Sequence, residues 1–156
     1  MSKPSARKST VITSGYETSI ARTAIAALLV VVGIAWIVVY VVFAQDAANY
    51  TAGLGKKPDN PLPWMADLEK WNYAIGFGLI FVGLAVSAHK STPLGRGRGV
   101  VIGMLGCFLI GLIWIVTFYF VSGNESVPVM GDLGQYNLLV GIGFMAVGFT
   151  FATKWE

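Results

Sequence analysis

Residues 71–85 read WNYAIGFGLIFVGLA, and residues 136–150 read YNLLVGIGFMAVGFT. Each stretch opens on an aromatic residue followed by Asn, and each places three glycines at the same spacing. A helix crosses the hydrocarbon core of a bilayer with roughly 17 to 25 apolar residues. Residues 71–88 and 136–152 supply 18 and 17 in a row without Asp, Glu, Lys, Arg or His, and residues 23–43 and 99–121 supply 21 and 23. All 19 charged side chains lie outside these four stretches. With 55% hydrophobic and 12% charged residues, the chain falls far below the charge content of soluble domains, about a quarter. Backbone groups in lipid must pair within their own segment, and no ten-residue alternation suggests a barrel, so the spans are expected to be helices.

The two quoted stretches belong to a longer repeat. Aligning Pro63 with Pro128 gives nine identities over 26 ungapped positions, and aligning Trp36 with Trp114 lays GIAWIVVYVVF over GLIWIVTFYFV. The register differs by 13 residues between these blocks, which assigns the Gly-, Pro- and Asn-containing DAANYTAGLGKKPDN to a longer first connector. The expected fold is an all-α integral membrane protein whose four transmembrane helices form two parallel-repeated helical hairpins. The divisions are a basic disordered tail (1–22), a first two-helix repeat (23–90), a linker (91–98) and a second repeat (99–156). Each repeat has an even number of spans, so the copies are parallel and not the inverted pair common in transporters.

Eight of the eleven basic residues, from Lys3 to Arg22, from Lys90 to Arg98 and at Lys154, fall on one side of this topology. Positive charge marks the cytoplasmic side, so both termini are expected inside and the two acidic connectors outside. The net charge of +3 then reflects topology, with no nucleic-acid surface implied. The first apolar run is longer than a signal-peptide core and lacks a convincing cleavage site, so it is expected to be retained. Composition reads the tail as disordered near anionic lipid, or as a docking segment that orders on a cytosolic partner.

Chemistry finds little purchase. Charged or metal-binding side chains at membrane depth would point to catalysis or transport, and the spans contain no charged residue or His and only a lone Cys. His89 stands at the cytoplasmic edge as a solvated flank, and Cys107 is expected to pack among helices. GRGRG (95–99) is expected to be a flexible turn, and Asn49-Tyr50-Thr51 matches a glycosylation acceptor, a pattern common by chance. No catalytic residue, metal site or cofactor is expected.

The residues that stand out are suited to packing. Trp64, Leu68, Trp71 and Ile75 share one helical face, and Val129, Leu133, Tyr136 and Val140 repeat it, so each second helix is expected to start before its apolar core. Trp71 and Tyr136 read as interfacial aromatics or partner contacts. Asn72, Gly76 and Gly83 lie on one side of their helix, as do Asn137, Gly141 and Gly148, while Gly78 and Gly143 face away. Such stripes let another helix come close, within the chain or between chains, and an amide at the end can hydrogen-bond across. Gly99, Gly103 and Gly106 form a weaker stripe on the third span.

The run LPWMADLEKWNYAIGFGLIFVGLAVSAHK (62–90), following a first helix that carries Trp36, resembles the CrgA family of actinobacterial cell-division proteins. The likeness covers residues 3–90 as one full copy, and residues 99–156 look like a second, diverged copy with Val129 for Trp64 and Tyr136 for Trp71. The resemblance implies a non-enzymatic membrane scaffold that helps localise septal components and coordinates growth with septation. Its implied partners are membrane lipids and divisome proteins, among them FtsZ-associated machinery and septal peptidoglycan synthases, with a possible homo-oligomer. The matching positions are Trp64, Trp71, Asn72, Tyr73 and Gly76. A competing reading is a small oligomeric transporter or channel subunit, for which Asn72 and Asn137 are the only strongly polar side chains within the spans.

Overall fold

The computed structural model describes residues 18–50, 55–121 and 127–154, and the tail and glycosylation readings fall wholly or partly outside them. Four long helices carry the fold: α1 (Ile20–Phe43), α4 (Trp71–Ser87), α5 (Arg98–Val121) and α7 (Asn137–Ala152). Short helices α2 (Gln45–Ala48), α3 (Pro63–Asp67) and α6 (Pro128–Leu133) gather at one end, here the loop end, and no strand occurs among the described residues. α1 is rich in Val and Ile, which are indifferent helix formers in water. A lipid surrounding, in which every backbone group must pair inside the segment, would favour the helix in such a sequence. α1, α5 and the helical run from α6 through a 3₁₀ turn to α7 are long and apolar enough to cross a membrane, whereas α4 is apolar but has 17 residues.

α1 lies along α4 and α5 lies along α7, giving two hairpins that meet where α4 crosses α7. Apolar residues of both hairpins share a core in which Ile37, Tyr40, Tyr73 and Phe77 pack with Val140 and Phe144. A second cluster toward the other end contains Val100, Val147, Phe151 and Cys107, a free thiol buried among helices as its apolar setting suggested.

That other end is the basic end. α1 starts at Ile20, inside the segment expected as tail, because the Ser19 hydroxyl accepts from the Arg22 amide at 3.4 Å. The Ser19 amide donates to the Ser91 carbonyl at 2.9 Å, and Arg22 reaches the Ser91 hydroxyl and the His89 ring at 3.0 Å. His89 is exposed yet held in this cluster. The linker is more ordered than its glycines suggested. Thr92, 1% exposed, donates to the Ser87 and His89 carbonyls and caps a 3₁₀ turn over Pro93–Gly95. Gly95 has backbone from His89 pressed against it, so only Gly97, with φ +52°, behaves as an open turn glycine.

Candidate functional site

Each hairpin is built around a pair of facing glycines. A methyl group placed on Gly33 of α1 would stand 2.6 Å from the Gly76 carbonyl oxygen of α4, and one placed on Gly111 of α5 would stand 2.6 Å from that of Gly141 in α7. Reciprocally, Gly76 receives the side chain of Ile37 and Gly141 that of Ile115. The two hairpins thus use one packing device in one register. Further along, Gly83 sits where a methyl would be 2.9 Å from the Ala26 carbonyl, while at Gly148 the corresponding Met104 carbonyl is 3.3 Å away. The first hairpin closes more tightly there, with the Val30 side chain against Gly83 where the aligned Phe108 ring stands against Gly148. Gly76, Gly83, Gly141 and Gly148 therefore join helices within the chain. Gly33 and Gly111 escaped the sequence reading, although both are aligned identities three residues before Trp36 and Trp114. Of the weaker stripe on α5, Gly103 meets the Phe151 ring, Gly99 meets Pro93 and Gly106 meets nothing within 4 Å.

The two asparagines do not reach across to the other long helix of their hairpin. The Asn72 amide donates to the Met65 and Glu69 carbonyls at 2.7 and 2.9 Å, and Asn137 donates to those of Met130 and Gly134 at 2.8 and 2.7 Å. Both asparagines are 0% exposed. Helix C-termini leave carbonyls without intrahelical partners, and here a side chain from the following helix donates to that of Met65 in α3 and that of Met130 in α6. The expected continuous helical face is broken to make this possible. Glu69 at φ 45° and Gly134 at φ 50°, the same position in the two repeats, turn the chain between the short helix and the long one.

The remaining aromatics divide by exposure. Tyr73 is 1% exposed, with its ring edge-on to Tyr40 at 5.1 Å. Trp64, 49% exposed, leans on Trp36 with ring centroids 5.7 Å apart. Trp71 and Tyr136 are 72% and 50% exposed and stand on the two sides of one cleft between α4 and α7. Between the hairpins, Phe77 meets Trp114 edge-on at 5.5 Å and Phe81 meets Phe144 at 5.1 Å, with the Phe81 ring seated on Gly143. At the loop end, Gln45 donates to the Pro128 carbonyl at 2.9 Å and Asn49 to the Asp132 carboxylate at 3.1 Å. Asp67, the repeat counterpart of Asp132, is exposed.

Two hairpins with matching glycines, matching asparagines and matching turns point to duplication of one ancestral unit. The sequence model of the family described as "Cell division protein CrgA" matches residues 1–91 and, separately, residues 87–156. A cell division protein CrgA of Streptomyces avermitilis is 49% identical over 53 residues, which is 34% of this chain and 60% of the relative. The match thus spans less than two thirds of that protein's length. One of Corynebacterium glutamicum strain R is 35% identical over 86 residues, covering 55% of this chain and 79% of the relative. One of Corynebacterium aurimucosum is 34% identical over 75 residues, covering 45% and 80%. No solved structure matches the chain. The chain, each of whose two hairpins falls in one of the two family matches, belongs to the CrgA family of cell division proteins.

Proposed function

We propose that the chain acts in bacterial cell division as a non-enzymatic membrane scaffold that helps localise septal components by helix and tail contacts. Four helices would span the membrane, α4 doing so with 17 residues, close to the lower limit of about 17 for a crossing. The basic end carries Arg22, Lys90, Arg96, Arg98 and Lys154, and the loop end carries Asp46, Asp59, Asp67, Glu69 and Asp132 with three lysines. By the positive-inside rule the basic end, with both termini, faces the cytoplasm.

The observation that carries the scaffold reading is how the pattern shared by the two copies is used. The buried glycines and asparagines are occupied in building each hairpin, which leaves Trp64, Trp71 and Tyr136 exposed at the loop end as anchors for partners or lipid headgroups. Large aromatics are the side chains that most often dominate protein contacts. Divisome proteins, FtsZ-associated machinery and septal peptidoglycan synthases are the partners this reading entails, together with a possible homo-oligomer. A fluorescent fusion to the full chain tests it: enrichment at the septum of dividing cells is expected, and a uniform membrane signal would overturn it. Site-specific crosslinking from position 71 or 136 should then capture division proteins.

A further inference from the structure

Between α4 and α7 at the loop end lies a cleft of about 490 Å³. Its walls are apolar, with Ala74, Phe77 and Gly78 on one side and Leu139 and Val140 on the other; Lys70 is the one charged residue among its lining residues and stands at the mouth. The cleft arises from a difference between the repeats. Phe81 of α4 fills the hollow at Gly143 of α7, but the residue equivalent to Phe81 in the second copy is Ala146. The reciprocal hollow at Gly78 consequently has nothing within 4 Å.

We propose that this cleft holds one acyl chain of an anionic phospholipid from the leaflet at the loop end, with its phosphate at Lys70. Three features select this occupant. From Trp71 to Phe81 a helix rises about 15 Å, half of the roughly 30 Å hydrocarbon core, so the depth of the cleft is that of one leaflet. Phe81, seated on Gly143 and edge-on to Phe144 at 5.1 Å, closes the inner end; a transmembrane helix of a partner would need a groove through both leaflets. The lysine at the mouth complements a phosphate, and Trp71 and Tyr136 flank the entrance at headgroup level.

The test uses the full chain reconstituted in nanodiscs of phosphatidylglycerol and phosphatidylcholine in equal parts, transferred to detergent and weighed by native mass spectrometry. One phosphatidylglycerol should stay bound per chain, preferred over phosphatidylcholine about fivefold, the share of one lysine beside an anionic headgroup. Lys70→Gln should erase the preference while a lipid is still retained. Gly78→Leu, which fills the hollow, should cut retention about tenfold or more, and Ala74→Leu does the same from an exposed position if Gly78→Leu does not fold. Equal retention by wild type and both filled variants would overturn the proposal, as would a wild type that does not discriminate headgroups. A Gly78→Cys chain that crosslinks in cells to another polypeptide would overturn it in favour of a partner helix.

Discussion

A glycine in a helix costs about 1 kcal/mol relative to alanine, so a glycine-to-alanine change reports whether the missing methyl group is needed. At Gly78 and Gly106 nothing lies within 4 Å, and alanine there should raise stability slightly. At Gly76 and Gly141 the methyl would run into Ile37 and Ile115 and close on the Gly33 and Gly111 carbonyls at 3.1 and 3.0 Å. Forcing extra volume into a packed interface costs about 1–3 kcal/mol, which outweighs the propensity gain. Thermal unfolding of the full chain in micelles should therefore show Gly76→Ala and Gly141→Ala lowered and Gly78→Ala unchanged or raised. The asparagines offer a second test. Asn72→Leu leaves the Met65 carbonyl without its side-chain donor, at about 1–3 kcal/mol for a group left unpaired, while the Glu69 carbonyl keeps the backbone amide of residue 72 at 3.3 Å. Asn72→Asp should be worse, because a carboxylate would face two carbonyl oxygens in a buried position. Hydrogen exchange in residues 63–70 should quicken in both variants and stay unchanged in residues 76–87.

At the scale of elements, the break before α4 and α7 is the feature that the helical period concealed. Trp64, Leu68, Trp71 and Ile75 keep the spacing of one helix face straight through the break. Hydrophobic periodicity registers spacing along the chain and is blind to a local turn: Trp64, Trp71 and Ile75 are exposed, whereas Leu133 and Val140 of the second copy are buried. The clue lay at position 134, where Gly stands in place of Glu69; only the second copy carries the residue that a positive φ favours. Glu69 therefore holds a strained conformation, and Glu69→Gly should stabilise the chain by up to about 1 kcal/mol if the relief of strain exceeds the added freedom of the unfolded chain. Gly134→Val should destabilise by more, because a β-branched residue is disfavoured at that φ. Chemical denaturation of both variants in one micelle system checks the pair, and opposite signs are expected.

At the scale of the molecule, the two hairpins were legible from the repeat, because duplication writes the same packing positions twice. Their junction was not, since its contacts occur once each. Phe81 meets Gly143 where Ala146 leaves Gly78 empty, and Asn49 meets Asp132 while Asp67 stays exposed. A contact made only once leaves no periodic trace. For the same reason Asp132→Ala, which removes the acceptor of the Asn49 amide, should loosen the hairpins and Asp67→Ala should be silent, which a crosslink placed between α2 and α6 would read as a lower yield in the first variant alone. Orientation is also a whole-molecule property, since it depends on the difference in basic charge between the two ends. With Cys107 replaced by Ala, one cysteine at Asp59 and another at Leu94 sample exposed positions at the loop end and the basic end. A membrane-impermeant maleimide applied to intact cells should label the Asp59→Cys chain and spare the Leu94→Cys chain, which becomes reactive only after lysis. The reverse pattern would place Arg22, Arg96 and Arg98 outside against the positive-inside rule and would move the Trp71 and Tyr136 cleft to the cytoplasmic leaflet. Labelling of both in intact cells would mean that an odd number of segments crosses, and α4, the shortest at 17 residues, would be the one that fails to span.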